Sequence, residues 1–112
     1  MADQMVGKPI KFRILEILAD GAELWNYEMV DKLAKEYNMT SQYGRNSINF
    51  DLVEVCTSGF IEGIDESVDT DGSKFGKGRL LMKYRISEIG KTEYAWLAKN
   101  CRHASANKEA KA

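Results

Sequence analysis

Apolar side chains recur at helical spacing in three segments of the first half of the chain. Between Pro9 and Gly21 they repeat at i, i+4, i+7 and i+8, and Phe12 and Leu15 widen this apolar face. Two more stripes of the same spacing follow further along the chain. The three stripes predict helices over residues 9–21, 26–37 and 41–57.

The second half of the chain changes to the period of β structure. Residues 60–68 are rich in β-branched and aromatic side chains, and their alternation breaks at Gly63, which predicts a strand with a bulge. Residues 80–86 alternate strictly and predict a second strand. The glycine-rich segment between them predicts a hairpin. The apolar pair Leu24 and Trp25 predicts a further strand of two residues.

Residues at the predicted helix ends are typical of caps. Asn26 is expected to cap the second helix, Thr40 or Ser41 the third, and Ser87 a last helix. Asn38 ends the second apolar stripe, so about three residues join the second and third helices. A joint this short forces a steep crossing and predicts helix-turn-helix geometry.

The order of elements is helix, short strand, helix, helix, strand, hairpin tip, strand, helix. It predicts an α+β, mainly α fold, a winged helix-turn-helix with a two-stranded wing and a C-terminal helix. We expect one domain over residues 9–101, a dimerisation helix at about 87–101, a flexible lead-in at 1–8 and a disordered tail at 102–112.

Three segments within residues 10–98 resemble winged-helix regulators of the PadR type, with the MarR type as a near relative. They are NYEMVDKLAKEY, SGFIEGIDES and KYRISEIGKTEYAWL. The third helix opens with TSQYGRNS, where PadR-type chains usually carry a Pro-Gly-Thr-Tyr-like sequence. The resemblance implies a transcriptional regulator that binds a two-fold symmetric operator and uses its C-terminal helix in the dimer.

The third helix carries the candidate base-reading residues. Arg pairs with guanine, and Asn or Gln with adenine, when a helix enters the major groove. The candidates on this helix are Ser41, Gln42, Tyr43, Arg45, Asn46 and Asn49. The alternative is a solvated helix face. Gly44 lowers helix propensity by about 1 kcal/mol, which indicates the close approach of another backbone or of DNA.

Charge is sharply separated along a chain whose net charge is only −1. Residues 60–71 hold five acids and no base, and residues 72–86 hold five bases and no acid. The basic candidates at the hairpin tip are Lys74, Lys77 and Arg79. Such a tip is expected to contact the DNA backbone or the minor groove, and the alternative is that it only keeps an exposed sheet edge soluble.

Lys83 and Arg85 follow on the return strand, and we expect them to pair with Asp65 and Glu66 across the hairpin.

The terminal helices carry more large apolar side chains than a small domain is expected to bury. This surplus predicts a homodimer interface. Its candidates are Phe12, Leu15, Tyr94, Trp96 and Leu97. The alternative is that they complete the core of one chain. Some regulators of this type also sense a small molecule, and Trp25 and Trp96 are candidates for its pocket, although core packing is the favoured interpretation.

Other function classes find little support in the sequence. The one histidine, His103, and the cysteines Cys56 and Cys101 form no catalytic or zinc-binding pattern, so no enzyme, metal or cofactor is expected. No membrane segment or secretory signal is evident, and we expect a cytoplasmic protein. The rival to DNA binding is a winged helix that binds protein, for which apolar residues are expected on the exposed face of the third helix; the sequence pattern predicts none there.

Overall fold

The computed structural model describes residues 8–100. These residues form an α+β, mainly helical fold of four helices and one three-stranded antiparallel sheet. The elements are α1 (Ile10–Leu18), β1 (Leu24–Trp25), α2 (Asn26–Glu36), α3 (Gln42–Thr57), β2 (Ile61–Val68), β3 (Leu80–Ile86) and α4 (Glu88–Asn100). The predicted α+β, mainly α class and the predicted order of helices and strands are confirmed. The expected tail at 102–112, and all of the expected lead-in except Lys8, lie outside the described residues.

The sheet has the order β1-β3-β2, so the two-residue strand pairs with the return strand of the hairpin. The predicted bulge is confirmed, because Gly63 lies opposite Tyr84 while Asp65 lies opposite Lys83. One residue of β2, Ile64, therefore has no counterpart on β3. The hairpin loop, residues 69–79, closes the far end of this pair.

The core lies between the first three helices and the inner face of the sheet. Its largest fully buried side chains are Ile14, Leu18, Met29, Val30, Leu33, Ile48, Leu52 and Ile61. Two ion pairs join α1 to its neighbours: Arg13 with Glu36 of α2 at 2.8 Å, and Lys11 with Glu54 of α3 at 2.6 Å. Within residues 8–100, none of the helices has the length and apolarity that crossing a bilayer requires.

Phe12 and Leu15, two of the expected interface residues, are core residues of the single chain. They are only 5% and 3% exposed, because α1 packs between α3 and α4. The Phe12 ring stacks on Tyr94 of α4 with 5.5 Å between centroids. The expectation that they are surplus to the chain's own core is therefore wrong.

The helix ends depart from the prediction at one cap. Asn26 is buried and is the first residue of α2, not its cap; its Nδ2 donates to the Leu80 carbonyl of β3 at 3.0 Å. The predicted caps Ser41 and Ser87 are confirmed, since their Oγ atoms accept from the N–H of Gly44 and Gly90 respectively, each at 3.0 Å. Asn38 lies in the joint that follows α2 and has a left-handed φ of 56°.

Candidate nucleic-acid interface

The start of α3 presents an open polar surface. Gln42, Tyr43 and Asn46 are exposed, and Tyr43 is 83% accessible. Nε2 of Gln42 donates to Oδ1 of Asn46 at 3.0 Å, one turn along the helix. Ser41 uses its hydroxyl as the cap. Four of the six predicted residues are thus at the exposed N-terminal end of α3.

Gly44 brings the start of α3 against the joint that precedes it. A Cβ atom at this position would lie 2.7 Å from the Met39 carbonyl oxygen and 2.9 Å from Met39 Cβ. The close approach predicted from this glycine is therefore made by the chain's own backbone. A larger residue would push α3 away from α2 and change the angle at which the helix is presented.

Arg45 and Asn49 lie on the flank of α3 and are half-buried. Nη2 of Arg45 donates to Oδ1 of Asp31 on α2 at 2.6 Å. All four polar residues were expected on the exposed side of α3, opposite the core. Gln42 and Asn46 are exposed there, whereas Arg45 and Asn49 are not. The Asp31 carboxylate orients the Arg45 guanidinium along the α2 side of the helix.

The exposed face of α3 continues with apolar side chains. Phe50 is 61% and Val53 45% exposed. Phe50 follows Tyr43 by seven residues and Val53 follows Phe50 by three, so the three side chains form one stripe along the helix. The prediction that this face carries no apolar residue is wrong. The reason is the helical phase: Ile48, Leu52 and Val55 alone are enough to fill the core side, so the intervening apolar residues turn outward.

Two acids near the end of α3 face away from its polar start. Glu54 pairs with Lys11 of α1, and Asp51 is half-buried near the same lysine. Burial raises the pKa of Asp51, and the nearby Lys11 lowers it to a smaller degree. Both carboxylates are thereby turned toward α1, as DNA binding by the start of α3 requires.

The hairpin loop is an ordered turn built around Asp69. Oδ2 of this buried carboxylate accepts three backbone N–H groups, from Lys74 at 3.0 Å, Phe75 at 2.6 Å and Gly76 at 2.9 Å. These bonds lower the pKa of Asp69 to about 2. The backbone of Asp69 also pairs with Gly78 and Arg79, which closes the ends of the loop.

The loop presents the three predicted cations differently. Lys74 and Lys77 are exposed at the tip, whereas Arg79 is half-buried with its guanidinium 4.2 Å from the centroid of the Phe75 ring. Among the described residues, five basic side chains take part in no ion pair: Lys35, Lys74, Lys77, Arg79 and Lys99. Three of these five are in the hairpin loop.

The other two bases of the hairpin are neutralised, but not by the predicted partners. Arg85 pairs with Glu62 at 2.9 Å, and Lys83 lies 4.0 Å from Glu23 and over the Trp25 ring. The bulge in β2 explains why Arg85 pairs with Glu62, since it leaves Glu62 directly opposite Arg85 in the sheet. Free positive charge on the hairpin is therefore confined to its tip.

Of the remaining interface candidates, Leu97 lines a cleft between α1, α3 and α4. The cleft, of about 200 Å³, is lined by Phe12, Leu15, Val55 and Leu97, with Lys11, Glu54 and Glu93 also on its wall. Tyr94 and Leu97 are half-buried, and Trp96 is more than half exposed. Neither Trp25 nor Trp96, the candidates for an effector pocket, lines this cleft.

Within residues 8–100 the side chains form no cluster of three or more metal-ligating groups. No family model, curated protein or solved structure matches the chain.

Proposed function

We propose that the chain is a dimeric transcriptional regulator of the winged helix-turn-helix class that binds double-stranded DNA sequence-specifically. In this proposal α2 and α3 are the helix-turn-helix, and α3 enters the major groove. The hairpin loop is the wing and lies on the DNA backbone or in the minor groove. The resemblance of three sequence segments to PadR-type regulators supports this class.

The observation that carries the proposal is the unneutralised positive charge of the hairpin loop. Lys74 and Lys77 are exposed, and neither they nor Arg79 pairs with an acid among the described residues. Eight other bases of residues 8–100 do pair. A chain that neutralises most of its cations but leaves a cluster free at one protruding tip favours a polyanionic partner.

The exposed start of α3 supplies the side chains for base recognition. Gln42 and Asn46 are accessible amides, and Arg45 lies beside them with its guanidinium oriented by Asp31. Amides suit adenine and Arg suits guanine in the major groove. The acids Asp51 and Glu54 point toward α1 and do not oppose the approach of phosphates to this end.

A homodimer completes the proposal. Trp96 and Ile89 are exposed on α4, Leu97 lines the cleft beside α1, and Tyr94 stacks on Phe12 of α1. In this proposal the surface is buried in a two-fold interface, and each copy of the chain contributes one α3 to the DNA contact. In such dimers the recognition helices lie about 34 Å apart, one turn of the duplex.

Selection of bound sequences from a random duplex library tests the proposal. We expect enrichment of a two-fold symmetric site whose half-sites are about 10 base pairs apart, centre to centre. Lys74→Ala/Lys77→Ala is expected to weaken binding to all sequences. The matched control is Lys35→Ala/Lys99→Ala, which removes the same charge from two lysines outside the loop that have no ion-pair partner within residues 8–100. Absence of enrichment, or equal loss in both variants, contradicts the proposal.

A second candidate function is favoured by the exposed apolar stripe of α3. Tyr43, Phe50 and Val53 together are the kind of helix face that packs against another protein. In this alternative the chain is a winged-helix module for protein assembly and does not bind DNA. Failure to bind a heparin column or random duplex DNA at low salt would favour the alternative, and retention that declines with salt would favour DNA binding.

A further inference from the structure

The conformation of the hairpin loop depends on one buried acid among exposed bases. Asp69 is 3% exposed, although it belongs to a loop whose other polar residues are mostly accessible. One of its oxygens accepts three consecutive backbone N–H groups, the arrangement in which successive amides surround an anion. Here the anion is the chain's own carboxylate.

The three amides belong to the residues that present the cations. Lys74 is itself a donor, Phe75 supports the Arg79 guanidinium, and Gly76 precedes Lys77. Gly72 and Gly76 have φ of 76° and 149°, a region that side chains rarely adopt, so the loop path needs glycine at both positions. Such glycines leave a loop many alternatives unless another group selects one of them.

We propose that Asp69 is a positioning residue for DNA binding, whose carboxylate fixes the hairpin loop in the conformation that presents Lys74 and Lys77 to the phosphates. The inference rests on the proposed function and adds to it a residue that does not touch DNA. A preformed loop binds without the entropic cost of ordering its long side chains and backbone on contact.

The direction in which the removal of Asp69 changes the affinity for DNA distinguishes a positioning role from an effect of charge alone. Removing an acid near a polyanion strengthens binding if the acid acts only through its charge. Removing Asp69 weakens binding if its role is to hold the loop. Asp71 provides the matched comparison, because it lies two residues away, is exposed, and accepts a single backbone N–H, from Ser73 at 3.0 Å.

The experiment measures affinity for one selected duplex at several salt concentrations with Asp69→Ala, Asp69→Asn and Asp71→Asn. We expect Asp69→Ala to bind about tenfold or more weakly at 0.1 M salt, with a log–log salt slope that falls from about −5 toward about −2 as two lysine contacts per chain are lost. Asp69→Asn keeps one acceptor oxygen and should lie between Asp69→Ala and the wild type. Asp71→Asn should bind as tightly as the wild type or more tightly.

A second measurement, in a variant that lacks the two lysines, tests whether Asp69→Ala weakens binding only because the protein loses structure. In Lys74→Ala/Lys77→Ala, the change Asp69→Ala should have little further effect, because the lysines it positions are gone. Base preferences read by α3 should be unchanged in every variant.

Affinity of Asp69→Ala equal to or above that of the wild type overturns the inference and leaves the proposed function standing. The inference is also overturned if Asp69→Ala weakens DNA binding as much in the Lys74→Ala/Lys77→Ala background as it does in the wild type. Failure of the wild type itself to bind at low salt overturns both.

Discussion

Single residues on α3 and in the hairpin loop have roles that follow from their partners. Arg45 is held by Asp31 at 2.6 Å, and Asp69 is surrounded by backbone N–H groups of the loop. In both cases a carboxylate orients a cationic surface without facing the proposed ligand. The two acids therefore differ in effect from the acids of β2, which lie on the exposed face of the hairpin.

Arg45→Ala is expected to relax discrimination at one base position of each half-site, at a cost of about 1–3 kcal/mol, because a bidentate contact to guanine is lost. Binding of the full set of single-base variants of the selected site measures this. Lys77→Ala is the comparison, and it should weaken all sequences alike because phosphate contacts carry no base information. A uniform loss with Arg45→Ala would contradict its assignment to base recognition.

Asp69 gives the hairpin loop a defined pH dependence. Its folded pKa is lowered to about 2 by the backbone N–H bonds, compared with about 3.9 for an unperturbed Asp. The stability it contributes is therefore fully present above about pH 4 and is lost as the pH falls through about 2.

Amide chemical shifts of Phe75 and Gly76 across an acid titration measure this pH dependence. We expect a transition near pH 2 that is missing in Asp69→Asn. A transition near pH 4 would show that the carboxylate is not held as described.

At the scale of elements, α4 packs against the backbone of Phe60 through Gly90. A Cβ atom at Gly90 would clash with the carbonyl oxygen of Phe60 and would lie 2.8 Å from Ile86 Cγ1. Helix propensity alone predicts that Gly90→Ala stabilises the protein by about 1 kcal/mol. The packing around Gly90 predicts instead that Gly90→Ala destabilises the protein.

We expect Gly90→Ala to lower the free energy of unfolding by about 1–3 kcal/mol, since α4 must move away from the Phe60 backbone. Urea unfolding followed by circular dichroism measures it. Thr92→Ala, an exposed change on the same helix, should stay within about 0.5 kcal/mol of the wild type. Stabilisation by Gly90→Ala would mean that α4 does not pack against Phe60 as described.

Local sequence signals predicted the elements, because spacing, caps and turns act over a few residues. The two-residue strand at Leu24, the bulge at Gly63 and the Ser87 cap are all of this kind. Contacts between distant segments left no local signal. The Arg45 pair with Asp31 and the Asn26 bond to the Leu80 carbonyl depend on how helices and sheet are packed.

Asp69 was an intermediate case for prediction. It stands in an acidic run, and no role for it is predicted in the sequence beyond its place in that run. Its place immediately before a segment rich in glycine, where an Asp side chain often accepts backbone N–H groups of the turn, was the signal that could have identified it. The exposure of Phe50 and Val53 has no local signal either, because the side of α3 that is buried depends on how this helix packs against α1, α2 and β2.

At the scale of the whole molecule, the proposed dimer now depends on α4. With Phe12 and Leu15 in the core, Trp96 at 56% and Ile89 at 61% exposure are the large apolar groups that remain on this helix. Trp96→Ala is expected to raise the dimer dissociation constant about 30-fold or more, because a central aromatic residue often contributes about 2 kcal/mol or more.

Sedimentation at micromolar concentration measures the dimer. Phe50→Ala removes an equally exposed aromatic residue from α3 and should leave the dimer intact. A wild type that sediments as a monomer, or a Phe50→Ala variant that dissociates while Trp96→Ala does not, would contradict an interface on α4.

The salt dependence of binding to duplex DNA tests the central claim most directly. A dimer that brings Lys74, Lys77 and Arg79 of each chain to the phosphates makes about six contacts, which predicts a log–log slope near −5. We expect that slope in a titration from low to physiological salt. An affinity that does not change with salt, or no binding at low salt, would contradict the account.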